Sequence, residues 1–468
     1  LFRRRASLPP GPFAVPVLGN FINEIKPPLI HVGLKRLTAQ FGPIFTVHLP
    51  FPVVNIADFE TMRDAFRGND ATGRMHNVLI ETARFCENGG IVTSDGADWQ
   101  EQRTFAIATL RDFGMGKNLM EEKVRLSARN MIEFINKKDL SDVDLRWSIE
   151  VFVSNIINEF LFGFQFPFDD CGKLEKVMHS TPIKDTIHFR SKLVPIVFIL
   201  PWIRHLPIIS YFWGKHKQRL DRMMGYVREQ AKAVKCEPNE EPTCFVQAFN
   251  ANNKDKRFEQ LLTCCSDLFN AGLETTTATL RWAMLLMAAH QEVQEKLRSE
   301  ILSVIGRDRL ASMADKAIMP YASAVVNEIQ RKANIIAPSP VLFHRTTVDT
   351  QITGFKIPAN TLLNGDFHQM MKADPLFEDP DRFWPERYIA EDGITLRKAQ
   401  FLDLFDPYLL EKESASDSAR ARTELFIGLI SLIQNFRILP LPGKMIDLEP
   451  IYSNIHFPKP HNFRLERI

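Results

Sequence analysis

A mostly helical fold with a minor β-sheet is predicted by two patterns. From about residue 98 to 310, apolar residues recur at three- and four-residue spacing, the period of amphipathic helices. Short β-branched and aromatic runs flank that region, at 44–47, 53–56 and across 341–363. No repeat or low-complexity linker divides the 468 residues. Residues 1–468 therefore read as one domain, with 1–12 as a basic, proline-rich linker. Hydrophobic residues make up 45% and charged residues 24%, an ordinary globular composition that excludes a disordered tail, a collagen and a disulfide miniprotein. Lys+Arg 58 against Asp+Glu 56 leaves +2, which argues against a nucleic-acid-coating surface. Phe is abundant at 36 and Tyr scarce at 6, as suits a large core or an apolar pocket.

Leu1-Phe2-Arg3-Arg4-Arg5 precedes Leu8-Pro9-Pro10-Gly11-Pro12. A basic cluster before a stiff segment fits a linker after a membrane anchor, or a plain basic terminus. Ile44-Phe45-Thr46-Val47 and Val53-Val54-Asn55-Ile56 read as two strands. Residues 117–136 and 148–163 read as helices. Leu193 to Trp213 is apolar but broken by Pro195, Pro201 and Pro207, so it is too interrupted to span a bilayer. It reads as a loop dipping into a membrane face or as a buried connector. Glu237 to Lys256 is polar and is expected to be a solvated loop. The longest helix is expected over 258–288, with Phe258, Leu261, Leu262, Cys265, Leu268, Phe269, Gly272 and Thr276 on one face. Strands return at 341–363, punctuated by Gly354 and Pro358, and again near the C-terminus. Cysteines 86, 171, 236, 244, 264 and 265 form no C-x-x-C pair, and suggest neither a zinc site nor a disulfide framework. No cysteine follows Cys265.

Four constellations bear on chemistry. Asn270-Ala271-Gly272-Leu273-Glu274-Thr275-Thr276-Thr277 puts a helix-weakening glycine and competing hydroxyls inside the longest helix. Such a run suits a backbone that opens or lets a ligand approach, with Glu274 and Thr275 relaying protons; tight helix packing through Gly272 is the alternative. Trp99 and Arg103, at i and i+4, suit an anionic ligand group or a simple stack. Glu328 and Arg331 lie at i and i+3, where surface ion pairs are common. Phe383-Trp384-Pro385-Glu386-Arg387-Tyr388 marks a rigid loop.

Taken in order, these residues resemble the cytochrome P-450 family. The proline-rich start is Pro9 to Pro12, the W-x-x-x-R is Trp99 and Arg103, and the A-G-x-E-T-T is Ala271 to Thr276. The E-x-x-R is Glu328 and Arg331, the P-E-R-[FY] is Pro385 to Tyr388, and Glu424-Leu425-Phe426 matches the helix after the haem loop. Leu110 to Lys117, Asn155-Ile156-Ile157 and Leu161 to Phe164 are similar to the microsomal animal branch. The resemblance implies a mainly α fold with a small β-sheet region, a haem cofactor and a monooxygenase. That enzyme would insert one oxygen atom of O2 into a small apolar substrate (xenobiotic, fatty acid or steroid-like). Electrons would come from an NADPH-dependent reductase, at the cytosolic face of the endoplasmic reticulum membrane. It implies that Glu328, Arg331 and Arg387 form a buried charge triad, and that Trp99, Arg103 and His344 hold haem propionates. Ala271 and Gly272 would open space above the iron; Glu274 and Thr275 would deliver protons. Phe85, Phe269 and Ile455 are expected near the substrate.

One element departs from that pattern. The family holds its iron through a cysteine thiolate in a loop F-x-x-G-x-R-x-C-x-G. Counting back from Glu424 places that cysteine at Ala415. The loop glycines become Glu411 and Asp417, and the arginine becomes Glu413. As written, the chain has no metal ligand there, and an inactive relative that binds a hydrophobic molecule at most is the alternative function. Both flanks stay in register. A family-like loop encoded TAC TCT ATT GGA AAA AGA GTC TGC CTC GG, after loss of the first T of TCT, reads TAC CTA TTG GAA AAA GAG TCT GCC TCG. That translates as Tyr408 to Ser416 residue for residue. A reading-frame slip, restored before Ala421, is the expectation.

Overall fold

The computed structural model describes residues 8–15, 19–20, 30–49, 51–113, 118–178, 197, 200–235, 241–252, 257–336, 343–373, 377–397, 415–452 and 455–468. The principal helices are α1 (Ile30–Phe41), α2 (Phe59–Phe66), α3 (Gly96–Asp112), α4 (Asn118–Asn136), α5 (Arg146–Phe162) and α6 (Pro207–Ala233). They continue with α7 (Phe245–Asn252), α8 (Phe258–Ala289), α9 (Gln291–Val304), α10 (Pro320–Ala333), α11 (Phe367–Ala373) and α12 (Ala415–Asn435). The strands are β1 (Ile44–His48), β2 (Pro52–Ile56), β3 (Gly73–Arg74), β4 (His344–Arg345), β5 (Thr350–Ile352), β6 (Phe355–Ile357) and β7 (Leu362–Gly365). Four more follow: β8 (Phe436–Pro440), β9 (Pro450–Ile451), β10 (Phe457–Pro458) and β11 (Phe463–Arg467). The expected mainly helical architecture with a minor sheet is what the protein adopts.

The main core lies between helices. α8 packs on α5, α12 and α10. α5 is apolar nearly all round and buries residues on every face, as a helix inside a large core must. It stops at Gly163, whose φ of 78° suits a left-handed cap and whose N–H meets the carbonyls of Asn158 and Glu159. Asn155 fixes the exit: its Oδ1 accepts from the Phe166 N–H at 2.8 Å and its Nδ2 donates to the Phe166 carbonyl at 2.9 Å.

The sheet runs β1-β2-β7-β4-β3. β1 and β2, both expected as strands, pair antiparallel, with Ile44 opposite Ile56. β2 and β7 are parallel, with Val54 beside Leu363. β4 then pairs antiparallel with both β7 and β3, which sets His344 opposite Arg74. α1 packs on β1, and the last residues close the fold as the β8–β11 pair.

The polar stretch 237–256 is not wholly a loop. α7 lies inside it because Phe245, Val246, Ala248 and Phe249 form one buried face, and burial of that face overrides the polar flanks. From Pro201 onward the apolar stretch is the start of a helix, and the residues before it lie largely outside the described ones. Pro201–His205 is a 3₁₀ turn, Pro207 occupies the first turn of α6, and Trp202, Leu206, Ile208 and Tyr211 are exposed. No helix among the described residues is long and apolar enough to cross a membrane.

Three histidines from distant segments meet one another. His31 of α1 lies 4.8 Å from His368 of α11, and His368 lies 5.3 Å from His456, ring centre to ring centre. Tyr452 stacks on His31 at 4.4 Å. Burial holds His31 and His456 at about 4, and His368 at about 2, with Lys372 adding repulsion in each case. Lys35 also faces His368, and the Asn334 carbonyl, 3.1 Å from His456 Nδ1, opposes the shift. Below the ordinary imidazole value near 6.5 the unfolded polypeptide takes up protons that the folded cluster refuses. Stability is therefore complete above pH 6.5 and falls as pH drops toward 4. The fully buried His456 contributes on the order of 3 kcal/mol to that slope. Thermal midpoints between pH 4.5 and 7 check this: His456→Gln should flatten the curve, and an unchanged slope would refute the assignment.

Candidate functional site

α8 runs unbroken from Phe258 to Ala289, so the helix does not open at Gly272 as the sequence suggested. Local side chains absorb the competition instead. Asn270 Nδ2 donates to the Ser266 carbonyl at 2.7 Å, Thr275 Oγ1 to Ala271 at 2.7 Å, and Thr279 Oγ1 to Thr275 at 2.9 Å. Each hydroxyl or amide thus bonds back to the preceding turn without breaking the ladder. The helix is buried on most sides, yet Ala271 is exposed and Asp267, Asn270 and Thr275 are half-buried. These positions share one face by their spacing; residues 91–92 cover it at Asp267, and Ala271 is its exposed point. Gly272 and Glu274 lie buried beside it.

Trp99 and Arg103 sit one turn apart on α3. The Arg103 guanidinium lies 5.0 Å from the Trp99 ring centre, so the two stack as a cation–π pair. The indole Nε1–H donates to the Ile91 carbonyl at 3.1 Å. His344 is placed by strand pairing. Its Nδ1 meets the Ala71 carbonyl at 2.9 Å and its Nε2 meets Arg74 Nη1 at 2.8 Å. A carbonyl only accepts and a guanidinium only donates, so Nδ1 carries the proton in this arrangement.

These groups are joined by residues that sequence reasoning missed. The loop 84–95 connects α8 to α3 and to the sheet. Asp267 Oδ2 on α8 accepts the Ile91 and Val92 N–H groups at 2.7 and 2.9 Å. The backbone comes this close because Gly90 has φ of 87° and no side chain; a Cβ there would lie 2.3 Å from Asp267 Oδ2. Burial pushes the Asp267 carboxyl up, against the pull of those two amides. At the other end, Asp95 Oδ2 accepts from Arg345 Nη2, from His76 Nε2 at 3.2 Å and from the Arg74 amide at 3.4 Å. Burial pushes the Asp95 carboxyl up, but these partners outweigh it and hold it below the ordinary carboxylate value. One connected network thus runs from α8 through Asp267, the loop and Asp95 to Arg74 and His344.

Asp267→Ala would leave two amides without their charged acceptor, at a cost of about 2 kcal/mol. Hydrogen exchange at Ile91 and Val92 should then accelerate, and far less so in Asp267→Asn. Equal protection in Asp267→Ala and the parent would show that this anchor is unimportant.

The charge triad is present and wholly buried. Arg331 binds Glu328 through two bonds, Nε to Oε2 at 2.7 Å and Nη2 to Oε1 at 2.8 Å. Arg387 Nε lies 3.2 Å from Glu328 Oε2, and the Trp384 amide donates to Oε1 at 2.8 Å. Remaining guanidinium donors reach the carbonyls of Met371, Pro380 and Arg382, and those of Glu378 and Asp379. What reads in sequence as an ordinary i, i+3 pair is the clamp between α10 and the loop before Pro385.

Phe269 is fully buried against Tyr226, at 5.5 Å between ring centres. Phe85 is partly buried and carries the Arg228 guanidinium 5.0 Å from its ring centre. Ile455 bridges to Ile336. Residues Tyr408 to Ser414 lie outside the described residues, and α12 begins at Ala415.

The donor set can be tested against a haem. Arg103 and Arg74 supply positive charge that suits carboxylates such as propionates, while the Trp99 and His344 N–H groups are held by the Ile91 and Ala71 carbonyls. Among the described residues no sulfur is ready to donate to a metal. Cys86, Cys171, Cys264 and Cys265 are all pushed up by burial, Cys171 to about 11, and so are thiols rather than thiolates. Cys244 is buried, and Cys236 lies outside the described residues. Among the described residues no group of three or more metal-ligating side chains is poised around one point. The residues present do not fit a thiolate-ligated iron.

Comparison with known proteins agrees with the fold. The family model named Cytochrome P450 matches residues 9–402. Cytochrome P450 2H2 of Gallus gallus is 31% identical over 98% of this chain and 93% of that protein. Cytochrome P450 2C1 of Oryctolagus cuniculus is 34% identical over 96% of this chain and 91% of that protein. Cytochrome P450 2B2 of Rattus norvegicus is 32% identical, over 97% and 92% respectively. The chain belongs to the cytochrome P450 family, whose cofactor is haem and whose members are monooxygenases.

Proposed function

We propose that this protein derives from a monooxygenase of small apolar substrates and that the polypeptide as written has lost oxygen insertion. The observation that carries the reading is Ala415: a methyl group stands where the family pattern requires sulfur, and no cysteine follows Cys265. A methyl group has no electron pair to give a metal. In the family pattern Glu413 stands where an arginine meets a propionate, and Glu411 and Asp417 stand where glycines are expected. In this reading Trp99, Arg103 and His344 are the propionate donors, Trp99 and His344 by exchanging the Ile91 and Ala71 carbonyls that their N–H groups now hold. Ala271 and Gly272 form the floor of the oxygen groove, and Glu274 with Thr275 is the proton path. All seven have kept their chemistry while the ligand loop has not.

The unbroken product takes electrons from an NADPH-dependent reductase at the cytosolic face of the endoplasmic reticulum. The membrane part of this reading is supported by the exposed Trp202, Leu206, Ile208 and Tyr211, beside Arg204 and Lys215. The gene's nucleotides across 408–420 test the origin of the loop. An alternative frame encoding a cysteine-centred loop is expected, and its absence would refute the frame slip. Turnover tests the activity: with haem, reductase and NADPH, a panel of apolar substrates should give no hydroxylated product. Product at a rate that scales with the amount of this protein would refute the loss.

A further inference from the structure

One cavity among the described residues lies away from the haem-side groups and the histidine cluster. It is an open cleft of about 510 Å³ between α4, the turn after α9 and the end of α12. That volume is in the range of small-ligand sites. Its walls carry Arg125 and Arg129 from α4 and Arg307 and Arg309 from the turn, against two acids, Glu133 and Asp308. Arg125 and Arg129 are four residues apart, so they lie one above the other on one helical face. Like charges there cost stability unless something compensates them.

Arg309 is compensated, because it grips Asp315 through two bonds at 2.7 and 2.9 Å. Arg129 and Arg307 pair with no carboxylate among the described residues. Arg125 gives one long bond to the Leu310 carbonyl, at 3.4 Å, and its Nε is buried with no hydrogen-bond partner among the described residues. The turn is held, not loose. Gln434 of α12 donates to the carbonyls of Gly306 and Arg309 at 2.7 and 2.8 Å, and Gly306 takes φ of 79° to allow the bend. A rigid turn thus presents a guanidinium to two more on a facing helix.

We infer that this cleft binds a small phosphate-bearing molecule through Arg125, Arg129 and Arg307. Guanidinium forks match phosphate oxygens in pairs, and a concave site suits a compact ligand better than a flat protein face. Glu133 and Asp308, which also line the cleft, accept hydroxyl or amine donors from the rest of the ligand. The inference does not depend on haem, on the loop at 408–417 or on oxygenase activity.

Inorganic pyrophosphate and adenosine monophosphate are the probes, titrated into the full-length protein at constant ionic strength while thermal unfolding is followed. The expected result is a saturable rise in midpoint for at least one probe. Arg129→Ala/Arg307→Ala, which alters two exposed side chains, should weaken that binding at least tenfold with the same midpoint when no probe is present. Phosphatidylcholine vesicles with and without phosphatidic acid form the second arm. Arginine-dependent binding to phosphatidic acid alone would place the same phosphate chemistry on a lipid headgroup. No saturable response in either arm, or an equal response in the double variant, would overturn the inference and leave an adventitious ion only. Displacement of the probes by an acidic polypeptide but by no phosphate compound would also overturn it.

Discussion

Glu328→Ala is expected to cost 3–5 kcal/mol, a large share of the roughly 5–15 kcal/mol that holds an ordinary domain together. Arg331 and Arg387 are 2% and 3% exposed, so neither guanidinium can recover water when its carboxylate goes. The loss also strips the Trp384 amide of its acceptor. Their other donors already hold backbone carbonyls, which fixes both arginines in place and prevents escape. Denaturant unfolding of the soluble fraction, or soluble yield where none unfolds reversibly, reads the effect. Lys173→Ala serves as control. It breaks an ion pair whose side chains are 68% and 62% exposed, and it should shift stability by less than about 1 kcal/mol. Glu328→Ala within 1 kcal/mol of the parent would show that the clamp is not structural.

Ala415→Cys, made alone, should not restore a thiolate-bound iron. The new sulfur would still be flanked by Glu413 and Asp417, and Glu411 would stand where the family pattern has glycine. Carboxylates beside propionates repel, and side chains fill the path along which a glycine backbone would pass. Exchange of the whole segment 408–417 for a loop of the form F-x-x-G-x-R-x-C-x-G should restore binding, because the propionate-side residues remain. Haem content per polypeptide measures both. The expected outcome is near zero for the single variant and a clear gain for the loop exchange. A full complement in Ala415→Cys would show that the acidic neighbours do not matter.

Much of this fold is legible in the sequence because its signals are local. α8 is announced by apolar spacing over more than thirty residues, and β1 and β2 by compact β-branched runs. α7 escapes notice because its four buried residues sit in a polar stretch, where tertiary burial decides. Trp99, Arg103 and Glu328 stand out as motif members, and their spacing reports their contacts correctly. Arg74, Asp95 and Asp267 do not stand out. Asp267 meets Ile91 across 176 residues, and Asp95 meets Arg345 across 250. Pairing at that distance follows from topology, above all from β4 lying between β3 and β7. The one local hint is Gly89-Gly90, a doublet that permits close backbone approach. The continuity of α8 runs against its glycine and hydroxyls for a simpler reason: Asn270, Thr275 and Thr279 bond backward and spare the ladder.

Absorption spectroscopy of the purified protein, after haem addition, reduction and exposure to carbon monoxide, reaches the central point most directly. With methyl in place of sulfur, the spectrum should lack the Soret shift that a thiolate ligand produces. Appearance of that shift in this unaltered polypeptide, with iron retained through gel filtration, would contradict the account.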